Sequence, residues 1–495
     1  MTCCVELGKI LGVLVGAREH LVVVLPGIGG SVLALPGRPD ELVWSGGLRN
    51  AGHVLRHPKA LSVEERPRLS PVGLISTRKV FGVWTAIPGY DGLLRKLASL
   101  PGAVLDDGTG PMNLDANVVA VGYDFRLGVA DAAEQLQRQV QPRLAHLWPD
   151  VDDRRRRLLI VAHSMGGLVA RFWLGAEDNW PLCRALMTLA TPHRGAPKAL
   201  DVLANGVAVK GLHLITKPVP VLRGWQSMYE LLPRYAAVWD ESARDPDRTR
   251  LMYPHELPLP WLAGPARRAH RMHAGIHDAW EAIPRTGPHV DPRIGYGHGT
   301  LRRSVWDGRR VTVTSGALGG PAVGRWDADL GDGTVPAYSG LPIEMDAAPP
   351  GGFRVPLRHG PIADLGEVAA WAESFEPWPA FVPIQGEERP VVLGLDVDQV
   401  VLAQQPVRVA ASVVGTDVPA QGAAVAAIIV ALDNPAVHHP AVRLEWGGPD
   451  GAFHGELPGL DPGTYELRIL AEEVPHAGDL QTQETLEVLD DDVLD

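Results

Sequence analysis

Short apolar, β-branched runs recur along the first three-quarters of the chain, at 21–25, 118–121, 158–162, 185–189, 311–314 and 353–356. Each is strand-sized and mostly free of charge, as expected of strands covered on both faces. Between them lie stretches whose apolar positions recur at helical spacing, 131–148 and 167–174 being the plainest. Strands alternating with helices predict an α/β fold with a mostly parallel central sheet.

Two intervals interrupt this rhythm. Residues 36–111 hold Trp44, Trp84 and many Pro and Gly, and residues 196–306 hold Trp225, Trp239, Trp261 and Trp280. Connections this long inside a compact domain are lids or subdomains, so both are read as cap or lid insertions. After the Pro-rich 377–383 the texture changes to alternating runs at 391–397, 407–414, 423–431, 442–446, 463–470 and 482–489. That spacing predicts a small β-sandwich, and the strings 450–453 and 460–465 resemble a strand pair of immunoglobulin-like modules. The reading is an α/β domain over 1–384 and an immunoglobulin-like β-sandwich over 385–495, with the boundary at 384–390. A chain of 495 residues needs such a division, because one core does not usually organise that length.

Charge sharpens the division. The formal net charge is −12, and from residue 385 onward about four basic residues face about twenty acidic ones, so the excess sits in the last domain. No basic surface for nucleic acid or an anionic membrane follows from this balance. The run Arg154 to Arg157 lies directly before a strand and is read as a solvated loop. Only Cys3, Cys4 and Cys183 occur, too few for a disulfide framework. The apolar run at 10–17 is short and soon followed by the first strand, so it is read as part of the fold rather than a cleaved leader. No uninterrupted apolar stretch is long enough to span a membrane. A cytoplasmic location is the expectation, with secretion left open.

The chemistry centres on Leu158-Leu159-Ile160-Val161-Ala162-His163-Ser164-Met165-Gly166-Gly167, an apolar strand running into a small-residue turn and then a helix. A nucleophile elbow needs this context: the Ser occupies a strained turn, and small residues two before and two after let the turn close. Ser164 is the expected nucleophile. His163, adjacent on a tight turn, points away from that hydroxyl and is read as structural, filling space beneath the elbow. His359 follows the late strand and is the expected base. Asp332, between Gly331 and Gly333, is the expected carboxylate that orients it, with Asp327 and Asp329 as neighbouring alternatives. The order Ser, Asp, His along the chain is that of α/β-hydrolases.

Backbone donors for an oxyanion are expected from Met165, at the start of the helix, and from the turn Pro26 to Ser31, where Ile28 is preferred over Gly29. That turn lacks the Lys-Ser/Thr ending of a phosphate-binding loop. No metal or cofactor is expected. His270, His273 and His277 share a helical face without matching carboxylates or cysteines and are read as a solvated cap face.

These residues resemble the lecithin:cholesterol acyltransferase family. The resemblance rests on Leu25-Pro26-Gly27-Ile28-Gly29-Gly30-Ser31, Gly89-Tyr90-Asp91-Gly92-Leu93-Leu94, Tyr123-Asp124-Phe125-Arg126, the elbow, Leu189-Ala190-Thr191-Pro192-His193-Arg194-Gly195, Met228-Tyr229-Glu230-Leu231-Leu232-Pro233, Gly331-Asp332-Gly333-Thr334-Val335 and His359. It spans roughly 21–375 and does not reach the sandwich. It implies a hydrolase core with a lid and a membrane-facing or acyl-chain-binding cap, a lipid-like ester substrate, and Ser164, Asp332 and His359 as its triad. The family's disulfide-closed membrane-binding loop has no counterpart, since no cysteine follows Ser31 in that segment. Asp124 and Arg126 are read as a structural ion pair near the site.

The expected reaction is serine-dependent acyl transfer from a carboxylic ester through an acyl-enzyme, with water or an alcohol as acceptor. Two alternatives stand beside it. One is a binding or anchoring protein in which the sandwich recruits a partner of unspecified identity and the core is secondary or inactive. The other is a lactonase or peptidase on the same scaffold.

Overall fold

The computed structural model describes residues 19–46, 56–76, 89–209, 212–242, 250–319, 330–346, 353–373, 391–416, 420–432, 439–448 and 451–490, together with 50, 53, 54 and 418. The run at 10–17 and the expected boundary at 384–390 lie outside the described residues.

Among the described residues, seven strands form the central sheet: β1 (Leu21–Leu25), β2 (Leu105–Asp106), β3 (Val118–Ala120), β4 (Leu158–His163), β5 (Cys183–Leu189), β6 (His289–Gly295) and β7 (Arg354–Val355). Their order is β7-β6-β5-β4-β1-β3-β2, and every pair is parallel. The sheet is buried on both sides, and strand alternation sorts its residues. Leu21, Val23 and Leu25 of β1 pack with Leu136 and Leu168 from helices α2 (Val129–Leu147) and α3 (Met165–Gly175). Val22 and Val24 pack on the opposite face with Leu93 of α1 (Asp91–Ala98) and with Val368 and Trp371 of the late helix Val368–Glu373.

After β1 the chain builds β2 and β3 on one side, then crosses back to build β4 to β7 on the other. The direction of winding therefore switches between β1 and β4, the position at which open α/β sheets generally place their sites. The glycine-rich turn leaves β1 there, and Ser164 leaves β4.

One strand reading is corrected. Residues Val311–Thr314 do not join the central sheet; they pair with Arg303–Trp306 in a separate four-stranded sheet that also contains Val238–Asp240 and Arg250–Met252. The central strand in this region is β6, within the interval read as an insertion. Asp291, Pro292 and Arg293 break its apolar pattern, and the two charged residues are tolerated because Arg293 is paired with Asp291 and with Glu367.

A second correction concerns α4 (Pro260–Ala282), the long helix of this interval, which buries Leu262, Ala266, Ala269, His273, Ile276 and Trp280. His273 is thus on the packed face, its Nε2 2.7 Å from the Glu230 carbonyl, and not on a solvated one. Among the described residues no helix is long and apolar enough to cross a membrane.

The last region is a β domain with, among the described residues, eight strands: β8 (Val392–Asp396), β9 (Val400–Leu402), β10 (Val407–Val414), β11 (Ala424–Ala431), β12 (Val442–Trp446), β13 (Ala452–Leu457), β14 (Gly463–Val474) and β15 (Gly478–Leu489). The sheet runs β8-β10-β13-β12-β11-β14-β15-β9 and curls over a core that includes Val409, Val425, Ile429, Leu444, Leu467 and Ile469. All its pairs are antiparallel except β9 with β15. The three-residue β9, too short to leave a pattern, is absent from the sequence reading.

Candidate active site

Ser164 stands between β4 and α3 with φ 52° and ψ −124°, a backbone conformation that non-glycine residues rarely adopt. Two bonds hold it there: its amide donates to the Leu189 carbonyl at 2.8 Å, and its carbonyl accepts from the Gly167 amide at 3.0 Å. The turn closes against the β1 exit so tightly that a β-carbon at Gly166 would lie 2.6 Å from the Pro26 carbonyl oxygen. A glycine two residues after the serine is therefore a steric requirement.

His359 lies four residues beyond β7. Its Nε2 is 3.0 Å from Ser164 Oγ, and its Nδ1 is 2.8 Å from Asp332 Oδ2. An ionised carboxylate only accepts, so Nδ1 carries the proton and neutral Nε2 is free to accept from the serine hydroxyl. The other oxygen, Asp332 Oδ1, accepts from the amides of Thr334 at 2.8 Å and Val335 at 2.6 Å, and the His359 amide donates to the Asp332 carbonyl at 2.9 Å. Both carboxylate oxygens are thus engaged, and all three side chains are buried. Asp327 and Asp329 lie outside the described residues.

The loop bearing Asp332 reaches the site by an unexpected route. It follows the accessory strand Val311–Thr314 in the chain, yet in space it docks on the end of β6. Gly331 and Asp332 bridge to His298 just past that strand, and a β-carbon at Gly295 would lie 2.5 Å from Asp332 Cβ.

The turn after β1 lies over the serine. A β-carbon at Gly27 would come within 2.9 Å of Ser164 Cβ and 3.4 Å of its Oγ, so only glycine leaves space there. Three buried aromatic side chains fix the turn: Trp44 Nε1 donates to the Gly29 carbonyl at 2.8 Å, Tyr123 Oη donates to the Pro26 carbonyl at 2.6 Å, and Tyr90 Oη accepts the Gly27 amide at 2.8 Å. The Gly27 and Gly30 amides are engaged, whereas those of Ile28 and Met165 make no hydrogen bond among the described residues. Met165 opens α3, where backbone N–H groups have no partner within the helix and favour negative charge.

His163 does more than fill space. Its Nε2 donates to the His359 carbonyl at 2.9 Å and its Nδ1 accepts from Tyr90 Oη at 2.8 Å. A chain of hydrogen bonds therefore runs from the Gly27 amide through Tyr90 and His163 to the backbone of His359, joining the turn, the elbow and the base-bearing loop. Burial, reinforced by the neighbouring His359, lowers the His163 pKa to about 3, so this ring stays neutral. Sequence reading placed Tyr90 in one of the family motifs but gave it no role, since its partners lie 63 and 73 residues away.

Asp124 and Arg126 form a two-point buried ion pair, Nε to Oδ1 at 2.8 Å and Nη2 to Oδ2 at 2.6 Å. Arg126 also donates to the carbonyls of Leu61, Ser62 and Arg66, and Asp124 accepts the Leu69 amide. The pair pins the first interrupting segment to the core and does not touch Ser164. Among the described residues no group of three or more His, Cys, Asp or Glu could hold a metal ion.

The family model for lecithin:cholesterol acyltransferase matches residues 111–256, a span that contains the Tyr123 to Arg126 motif, the elbow and Glu230. No curated protein matches the chain. A lipase of Bacillus licheniformis in propeptide form is 9% identical, covering 94% of this chain and 93% of its own, with a TM-score of 0.32. The superoxide reductase (neelaredoxin) of Ignicoccus hospitalis is 18% identical, covering 20% of this chain and 80% of its own, with a TM-score of 0.16. Overlaps so low carry nothing about the fold, which rests on the parallel sheet and its switch point. With the matched segment spanning the elbow on that sheet, the chain has an α/β-hydrolase fold whose residues 111–256 are lecithin:cholesterol acyltransferase-like.

Proposed function

We propose that this chain is a serine-dependent acyl-transfer enzyme acting on lipid-like carboxylic esters. The observation that carries the reading is the hydrogen-bonded series Ser164, His359, Asp332 at the carboxyl ends of the central strands. His359 Nε2 takes the Ser164 proton as Oγ attacks the ester carbonyl carbon. The carbonyl π-electrons move to oxygen, and the amides of Ile28 and Met165 hold the resulting oxyanion; one such donor is worth about 3 kcal/mol of barrier. Asp332 stabilises the imidazolium, which then gives its proton to the departing alkoxide. The acyl group remains on Ser164. Water or an acceptor alcohol next gives its proton to His359 and attacks the acyl carbon, releasing an acid or a new ester and restoring the serine hydroxyl. His163, held neutral, keeps a second positive charge away from the first.

Labelling with a fluorophosphonate probe followed by peptide mapping tests this. The expected result is a phosphonate on the peptide containing Ser164 and none on the Ser164→Ala chain, whose ester turnover falls by roughly 10⁴-fold or more. A label on a different serine would move the nucleophile.

A further inference from the structure

The loop that carries His359 is gripped from behind by the β domain. Arg358, one residue before the base, is buried; its Nε donates to the buried carboxylate of Glu484 on β15, and its Nη1 donates to the Leu395 carbonyl on β8 at 2.5 Å. The same guanidinium lies on the loop of Asp332, with Nη2 2.8 Å from where a β-carbon at Gly333 would stand. Glu484 is itself fixed: Oε2 accepts from Gln399 Nε2 at 2.6 Å and Oε1 from the Thr485 amide at 2.8 Å. His298 adds a parallel link, its amide donating to the Gly331 carbonyl at 2.9 Å and its Nδ1 accepting the Leu395 amide at 3.1 Å.

These polar contacts are not what holds the two domains together. Val400, Leu402 and Leu489 of the β domain belong to the apolar core of the hydrolase, and Val392 packs with Ile294, Tyr296 and Tyr338. A buried ion pair contributes little net stability compared with apolar groups of the same volume. What a planar guanidinium bonded at two separate points does supply is direction. Here it fixes the residue next to the base and braces the loop of the orienting carboxylate at once.

We propose that Arg358 and Glu484 are positioning residues for His359 and Asp332, so that the β domain forms part of the frame of the active site. The inference rests on the reading of Ser164, His359 and Asp332 given above. An imidazole displaced by about 1 Å from its nucleophile costs about 10²-fold in rate, so a brace behind the loop is felt in kcat.

The test uses the full chain and p-nitrophenyl butyrate, with melting curves for every variant. Glu484→Gln and Glu484→Ala are expected to lose about 10-fold to 10²-fold in kcat with KM changed by less than about twofold. The acid limb of their kcat/KM profile moves to lower pH, because an imidazolium less firmly held by Asp332 releases its proton more readily. The paired variant Arg358→Met with Glu484→Leu fills the same volume without charge; it is expected to recover the parent melting temperature and remain slow. A folded Glu484→Ala or paired variant with the parent kcat and pH profile overturns the proposal. Ser164→Ala in the same assay separates the two readings. Parent-like turnover by Ser164→Ala removes both, whereas an inactive Ser164→Ala beside an unaffected Glu484→Ala removes this one alone.

Discussion

Ser164 is held in a left-handed conformation by bonds to Leu189 and from Gly167, and the turn over it is fixed by aromatic hydroxyl and indole donors rather than by charge. One side-chain base, His359, is in contact with the serine hydroxyl. Other buried histidines stay out of the chemistry because burial keeps them neutral, and this has a measurable cost in acid. His273 is lowered by burial to about 4 from an ordinary 6.5. Between those values the unfolded chain binds a proton that the folded chain refuses, so stability contributed above pH 6.5 is lost as pH falls toward 4. The melting temperature of His273→Asn minus that of the parent is therefore expected to rise on going from pH 7 to pH 4.5; a difference independent of pH would show that this ring does not titrate as described. Ser164 was legible because the elbow signal is local: strand, small residues and helix are contiguous. The burial of His273 was not, since helical spacing groups His270, His273 and His277 without saying which face meets the core.

Among the elements, α2 shows how the cap and the core are joined. Its first amide, Val129, donates at 2.7 Å to Glu230 Oε2, and Glu230 belongs to the short helix Gln226–Glu230 about a hundred residues later. Burial raises the Glu230 carboxyl from 4.5 to about 7, against the lowering effect of the Val129 amide. Between those values the folded chain holds a proton that the unfolded chain releases, so this group's contribution is full below pH 4.5 and is lost as pH rises through 7. Glu230→Gln cannot titrate, and its melting temperature relative to the parent is expected to climb from pH 5 to pH 8, opposite to the His273 variant. A flat or falling difference would contradict the assignment. The strands β1, β3, β4, β5 and β7 were legible as buried runs. β6 was not, because its Asp291 and Arg293 neutralise each other only in three dimensions, and the true neighbour of the Asp332 loop was therefore mistaken for Val311–Thr314.

For the whole molecule, the two chemical textures of the sequence correspond to an α/β-hydrolase region and a curled β domain, but the texture said nothing of how the two meet. The polar contacts of the junction come from single residues, Arg358, Gln399 and Glu484, that carry no pattern in sequence. A chain ending at residue 384 would lose the carboxylate that Arg358 grips and would uncover the apolar surface now packed on Val400, Leu402 and Leu489. It is expected to melt lower than the full chain and to lose most ester turnover; equal turnover would show that the β domain is dispensable. The central claim, that the acyl group passes through Ser164, is tested most directly by mixing the enzyme with excess p-nitrophenyl butyrate, quenching in acid within the first turnovers and mapping the acyl mass. The account predicts a butyryl group on the peptide that contains Ser164. A butyryl group on another residue, or undiminished turnover by Ser164→Ala, would contradict it.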